Sequence, residues 1–406
     1  MKVLKNIAKL YAVTAESPER VIEDAALVFD TEKIRWVGPE ADLPTPYANL
    51  DALDAEGKLL IPGLIDCHTH LAFAGWREDE FVKRALGISY LDIAKTGGGI
   101  LATVQKTRAA SKSELIARAR IFAREMLKLG VTTIECKSGY GLTFQDEIKL
   151  LEVYSELEVS QRLVPTFLGA HTIPPEYRDN RAGYIQLLTE RLIPEVARRK
   201  LAVFVDIFVE EGAFTHSEAS QILTCAKSFG LLPKLHVDQL SNGAGAKLAA
   251  DLGAVSADHL EFSDLEGRLA LATAGVVAVF LPFASMYLGK QAPKARDFIE
   301  AGVEVALATD FNPGSAPSYH LPLAMTLGVT LSGLTPMQAL KAVTLNAAKA
   351  LRLESKIGSL EPGKVADFAL IDAISVEEWL YHFAPNRCVG TFVSGSLQVQ
   401  AGPGVC

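Results

Sequence analysis

The chain predicts an α/β fold: a TIM (β/α)8 barrel with a small composite β-sandwich built from both chain ends. Three observations lead there. Short apolar segments alternate with helical stretches through the middle of the chain, the pattern of βα units around a parallel sheet. Eight such segments can be counted, the number that closes a barrel. Both ends of the chain are instead rich in β-segments separated by turns.

Taken in order, residues 1–60 read as short strands at Leu4–Val13, Ala25–Asp30, Lys33–Gly38 and Lys58–Ile61, with Asp30-Thr31-Glu32-Lys33 as a hairpin loop. The barrel strands are expected at 61–67, 131–136, 163–169, 203–209, 232–238, 254–258, 276–281 and 303–309. Helical patterns lie between them at Ser113–Leu129, Gln145–Leu157, Tyr184–Lys200, Ser217–Phe229, Gly245–Leu252 and Leu265–Ala274. Two more, Leu321–Leu331 and Thr335–Leu351, follow the last strand. The tail turns at Gly358–Lys364 into Ala366–Ile371, and Val389–Val393 follows. The expected division is therefore a catalytic barrel over 61–354 and a sandwich made of 1–60 with 355–406.

Composition narrows the class of partner. The chain has 406 residues, 49% hydrophobic and 22% charged, enough for a large buried core. A net charge of −8 argues against nucleic acid or an anionic membrane as partner. No apolar run reaches the roughly 18 residues of a membrane-spanning helix. The start, Met1-Lys2-Val3-Leu4-Lys5-Asn6, lacks a signal-peptide core. Five scattered cysteines without Cys-x-x-Cys spacing fit free thiols in a reducing compartment. The expectation is a cytoplasmic protein that acts on a small molecule and assembles as a homodimer.

The chemistry centres on His68-Thr69-His70, at the end of the first barrel strand. Alternate residues of a strand share a face, so the two imidazoles converge on one point and suit zinc or iron. In a TIM barrel the reacting groups stand at the C-terminal strand ends. Those ends carry His68 and His70, Lys137 and Tyr140, His171, Glu210 and Glu211, His236 and Gln239, His259, then Asp310 and Asn312. Five of the eight histidines fall on this rim, whereas chance would scatter them. His216, His320 and His382 are the scattered ones, and they read as structural or solvent-facing.

Pro62-Gly63-Leu64-Ile65-Asp66-Cys67-His68-Thr69-His70, a His after strand five, a His after strand six and an Asp after strand eight resemble the amidohydrolase superfamily. The tail, Gly358 with Pro362-Gly363-Lys364-Val365-Ala366-Asp367, is similar to that family's closing signature. The closer resemblance is to the branch acting on 4-imidazolone-5-propanoate in histidine degradation. It rests on His68–Arg77, Lys137–Gly141, Gly169–Tyr177, His236–Ser241, Ser256–Glu261 and Ala308–Ser315.

This resemblance implies one divalent metal ion, zinc or iron, held by His68, His70, His236 and Asp310. It implies hydrolysis of the ring amide to N-formimidoyl-L-glutamate by a water whose pKa the metal lowers. Asp310 would shuttle the proton, and His259 would stabilise the oxyanion or steer the water. Gln239 stands where some relatives carry Glu; an amide cannot titrate, so it is expected to hydrogen-bond the substrate ring. Arg77 would grip the propionate, with Tyr140 and His171 beside it. Asn312, Gly314 and Ser315 would contact substrate or product. Bland alternatives stand beside these: a structural ion pair for Asp310, a packed core histidine for His259, a packed loop aromatic for Tyr140. Lys137 lies on strand two, where a lysine bridging two metals would sit on strand four, so one metal is favoured over a Glu210-bridged pair. Cys67 and Cys136 read as buried fillers. The competing readings are a deaminase of the same superfamily and a barrel without catalysis.

Overall fold

The computed structural model describes residues 1–88 and 98–400. Two sheets organise it. The first takes strands from both ends of the chain: β1 (Lys2–Tyr11), β2 (Val21–Phe29), β3 (Ile34–Pro39), β4 (Asp51–Asp54) and β5 (Leu59–Pro62). The second is the barrel: β6 (Leu64–Asp66), β7 (Val131–Lys137), β8 (Arg162–Ala170), β9 (Phe204–Val209), β10 (Leu232–Val237), β11 (Ser256–His259), β12 (Val277–Phe280) and β13 (Val305–Leu307). The tail then returns to the first sheet as β14 (Phe368–Ile371), β15 (Cys388–Val393) and β16 (Ser396–Gln400).

Barrel neighbours run in chain order from β6 to β13, every pair parallel. The ring closes at the C-terminal rim, where Thr69 bridges Phe311 in parallel register. The helices Lys112–Lys128, Phe144–Glu156 and His216–Ser228 bury one side against it. Each starts from a Ser or Thr whose hydroxyl accepts a backbone N–H of the first turn. In the end-built sheet the order is β16-β15-β14-β5-β1-β2-β3, with β4 beside β1. Its halves curl toward each other, so Phe29 on β2 meets Phe368 on β14 with ring centroids 5.1 Å apart. The two chain ends thus share one hydrophobic centre, as expected of a composite unit.

The first barrel strand begins at Leu64 rather than at residue 61. The run Leu59–Pro62 pairs with β1 and β14 in the other sheet, and the chain changes sheets at Gly63. Its N–H bonds Asp367 O, while Leu64 N–H bonds Gly130 O. A Cβ on Gly63 would lie 2.3 Å from Thr132 Oγ1, so only glycine fits this crossing. The helix expected over Thr335–Leu351 breaks into Pro336–Ala342 and Leu345–Lys349. Thr344 leaves helical geometry there (φ −127, ψ −93). The helix expected from Tyr184 starts at Arg181 and passes through a wide turn over Leu187–Leu192 before Pro194, which has no N–H for a regular turn. Short strands at Asp51–Asp54 and Ser396–Gln400, and helices such as Glu78–Ala85 and Ile100–Ala109, had no clear periodic signal. Among the described residues no helix is long and apolar enough to cross a membrane. Cys67, Cys136 and Cys388 are buried free thiols and Cys225 is a partly buried one; Cys406 lies outside the described residues.

Candidate metal centre and active site

The closing seam of the barrel sets the first group of side chains. Asp310 N–H bonds His68 O, and His70 N–H bonds Phe311 O, at 3.0 and 2.9 Å. This register places Asp310 Oδ1 3.4 Å from Nε2 of both His68 and His70. Asp310 holds a left-handed backbone (φ 54), a conformation that costs a non-glycine residue energy and aims its carboxylate at the rings. His236 comes from the end of β10, its ring centroid 4.5 Å from that of His68. Ligand atoms of His68, His70 and His236 lie within 4.8 Å of one another.

Two of these rings are steered from behind. His68 Nδ1 lies 2.6 Å from Asp258 Oδ2, and His236 Nδ1 lies 3.1 Å from Asp206 Oδ1. Each carboxylate accepts a hydrogen bond from Nδ1–H and so turns the bare Nε2 inward. Both Nε2 atoms are buried and have no hydrogen-bond partner. Buried polar atoms without partners are costly unless something absent completes them. Three imidazoles and a carboxylate are the donor set of a divalent cation, and the residues present fit one.

The electrostatics agree. Burial pushes the pKa of His70 down to about 3 and that of His236 down to about 4, so both rings stay neutral and keep a lone pair for a metal. Burial also opposes charge on His68, but Asp258 and Asp310 outweigh it and raise its pKa. Burial would raise Asp310, yet the neighbouring His68 and His70 imidazoles hold it well below the usual carboxylate range. It is an anion wherever the protein is folded near neutrality.

On the open side of this cluster lies a cavity reached by Arg77, Tyr140 and His171, then by Gln239, Asn312 and Ser315. His259 and Asp310 line its floor. Arg77 is 6% exposed, and its Nε and Nη1 have no hydrogen-bond partner. Glu80 Oε2 stands 3.9 Å from Nε, at the outer range of an ion pair. A buried guanidinium with free donors facing a cavity is a site for a carboxylate. Gly314 makes room for it: a Cβ there would fall 1.1 Å from Arg77 Nη2. Asn312 shapes the same loop, its Oδ1 accepting the N–H groups of Gly314 and Ser315 at 2.8 Å each.

Tyr140 stands with its ring centroid 5.6 Å from His70 and 5.5 Å from His171. Its loop is clamped by buried Glu147, which accepts N–H bonds from Gly139, Gly141 and Leu142. His171 Nδ1 lies 3.1 Å from Gly139 O, and burial drives its pKa well down. The loop of Gln239 is held by Glu210, whose two oxygens accept from Leu240 N–H and Ser241 Oγ–H. Glu210 thus anchors a loop. His259 has φ +81 and places Nδ1 3.8 Å from Glu261 Oε1. Burial disfavours its charged form, but Glu261 prevails and raises its pKa.

The sequence reading missed Asp206, Asp258 and Glu135. Asp206 is a charge within the otherwise apolar strand Phe204–Val209, which was the available signal; Glu135 and Asp258 lie in strands that carry other polar residues. It placed Lys137 at the rim, whereas its Nζ sits inside the barrel, 2.9 Å from Glu135 Oε1 and 2.7 Å from Asp206 Oδ2. The three leftover histidines lie apart from the site: His320 accepts Leu323 N–H at a helix start, His382 pairs with Glu378, and His216 is an exposed first-turn residue.

The amidohydrolase family model matches residues 59–397. An imidazolonepropionase of Geobacillus thermodenitrificans is 45% identical over 94% of this chain and 92% of its own length. One from Shewanella baltica is 44% identical over 94% of each chain. Among solved structures, 5-methylcytosine deaminase from Klebsiella pneumoniae superposes with a TM-score of 0.77 at 17% identity, over 100% of this chain and 98% of that one. An adenosine deaminase from Xanthomonas campestris gives 0.75 at 18%, over 98% and 93%. At such identities these structures speak for the fold alone. By extent of match and by identity, the chain belongs to the amidohydrolase family and, within it, to the imidazolonepropionases.

Proposed function

We infer that the chain hydrolyses the ring amide of 4-imidazolone-5-propanoate, giving N-formimidoyl-L-glutamate in histidine degradation. The observation that carries this reading is one cavity with buried imidazole nitrogens that lack hydrogen-bond partners on its floor and, on its wall, a buried guanidinium whose Nε and Nη1 make no hydrogen bond. The first suits a cation and the second suits the propionate arm of the substrate. A deaminase acting on a ring without that arm has no use for Arg77.

His68, His70, His236 and Asp310 would hold one divalent ion, zinc or iron. When bound, such an ion polarises the ring carbonyl and lowers the pKa of a water molecule. Arg77 binds the propionate and so fixes which ring atom reaches the floor. Tyr140 and His171 flank the ring, while Gln239 hydrogen-bonds it. As the water oxygen bonds to the carbonyl carbon, Asp310 takes its proton and passes it to the ring nitrogen whose C–N bond breaks. His259 faces the oxygen on which charge develops and offsets it. Asn312, Gly314 and Ser315 form the loop over which Arg77 lies.

A single ion is supported by two features. Lys137 lies among carboxylates, and a carboxylated lysine there would add an anion to them. Both oxygens of Glu210 are engaged by its own neighbouring loop. The proposed division into an end-built unit, 1–60 with 355–406, and a barrel, 61–354, is supported by the change of sheet, which falls at Gly63 and leaves Ile61 and Pro62 with the first unit. We propose a homodimer in the cytoplasm; light scattering on purified protein tests the first part, and cell fractionation the second.

Incubation with fresh 4-imidazolone-5-propanoate, followed by its ultraviolet absorbance, tests the reaction. Loss of absorbance with formimidoyl-glutamate formation is expected. An inert substrate with metal-loaded protein would overturn the reading.

A further inference from the structure

Behind the imidazoles, away from the cavity, the barrel interior holds charges that no step of the hydrolysis uses. Lys137 Nζ is fully buried and does not line the cavity. It lies 2.7 Å from Asp206 Oδ2 and 3.6 Å from Asp258 Oδ2. Those carboxylates are the ones that accept hydrogen bonds from Nδ1–H of His236 and His68. Its third partner, Glu135, turns elsewhere: its Oε2 accepts Thr69 N–H at 3.3 Å. One ammonium therefore joins the supports of two rings that come from different strands.

The remaining contacts show why such a tie matters. Asp258 Oδ1 is fixed by Ser256 Oγ–H at 2.6 Å, and Asp206 Oδ1 accepts Ile207 N–H at 2.7 Å. Each carboxylate has one oxygen held locally and the other turned toward Lys137. Removing that ammonium would leave each carboxylate with only its local bond and its imidazole, and the two anions would repel each other, each ring following its carboxylate.

We propose that Lys137 is a positioning residue for the metal, tying Asp206 to Asp258 so that His236 and His68 present Nε2 to one point. The inference rests on the reading that those two histidines hold the ion. The rival explanation is that Lys137 only balances buried negative charge.

The double variant Lys137→Met/Glu135→Gln separates the two, because it removes one cation and one anion and leaves both Asp–His pairs in place. Cobalt(II) is titrated into metal-free protein against a chromophoric chelator, with circular dichroism reporting the fold. The expected result is a folded protein with affinity weakened about 10–100-fold, the usual effect of losing outer support for a metal ligand. The visible cobalt spectrum should shift as well. Lys137→Gln/Glu135→Gln, whose amide can still donate to Asp206, should recover part of the affinity. Wild-type affinity and an unchanged spectrum in the Met variant would reduce Lys137 to charge balance and overturn the proposal. Failure of both double variants to fold in excess cobalt would overturn it too, by placing Lys137 in the stability of the core. If the wild-type protein itself takes up no cobalt, the metal-site reading falls first, and this inference with it.

Discussion

Gly314 lies beneath the Arg77 guanidinium so closely that an added methyl group would sit 1.1 Å from Nη2. Its backbone is not in the left-handed region, so the glycine is required for space rather than for conformation. Gly314→Ala should therefore displace Arg77 while leaving the loop able to form. Loss of a charge-assisted carboxylate contact costs about 1.5–3 kcal/mol, or one to two decades in kcat/KM. Metal content should stay at the wild-type level. Steady-state kinetics beside metal analysis checks both, and an unchanged kcat/KM would show that Arg77 works equally well from elsewhere.

Direct replacement of Arg77 asks the same question of the substrate. Arg77→Met should lose at least about a decade on 4-imidazolone-5-propanoate, by the same arithmetic. Arg77→Lys keeps the charge without the two-pronged geometry and should recover only part. On an imidazolone lacking the propionate arm the Met variant should lose much less. Equal losses on the two compounds would assign Arg77 to loop support.

Gln239 lines the cavity on a loop held by Glu210, so it can vary without disturbing the metal ligands. Gln239→Glu should be tolerated, since a carboxylate accepts the same hydrogen bonds. Gln239→Leu should cost about 1–3 kcal/mol in kcat/KM, the effect of an unpaired polar group on the bound substrate. A Leu variant with wild-type kinetics would remove Gln239 from the site.

The metal-free protein should lose stability as pH falls through the histidine range. His70 and His236 have folded pKa values lowered to about 3 and about 4, against 6.5 for an ordinary histidine. Between 6.5 and those values the unfolded chain binds protons that the folded rings refuse, so stability falls as pH falls. His171 is shifted the same way, while His68 and His259 are shifted up and act in the opposite sense. His320 is shifted down as well, and Asp66, which burial raises to about 7, acts in the opposite sense; the large downward shifts of His70 and His236 set the expected sign. Thermal melts after chelation, at about pH 7 and about pH 5, bracket the ordinary histidine range. A melting temperature that rises on acidification would contradict the burial-driven shifts.

Much of this was legible in the amino-acid order. Apolar runs separated by helical periods marked the barrel strands to within a few residues, because strands buried on both faces are hydrophobic throughout. That His68, His70, His236 and Asp310 come together could be anticipated because strand ends of such a barrel face one point. The sheet change at Gly63 was hidden, since Leu59–Asp66 reads as one apolar run and only the proximity of Thr132 in space divides it. Asp206 and Asp258 escaped for a related reason. A charge inside a strand has no partner in sequence, and its partners here come from other strands.

The seam joined by Thr69 and Phe311 also concerns how the chain assembles. Asp66 and Thr309, hydrogen-bonded across it, are 243 residues apart. Contacts of such separation carry a large loop-closure cost and form late. His68 and His70 stand on one side of the seam and Asp310 on the other, so an ion held by them would bind only where first and last strands have met. Ligand binding confined to the finished ring draws the equilibrium toward it in proportion to ion concentration. The ion would then act as a clasp on the ring as well as a reagent, and a chain starved of it should breathe open first between its two ends.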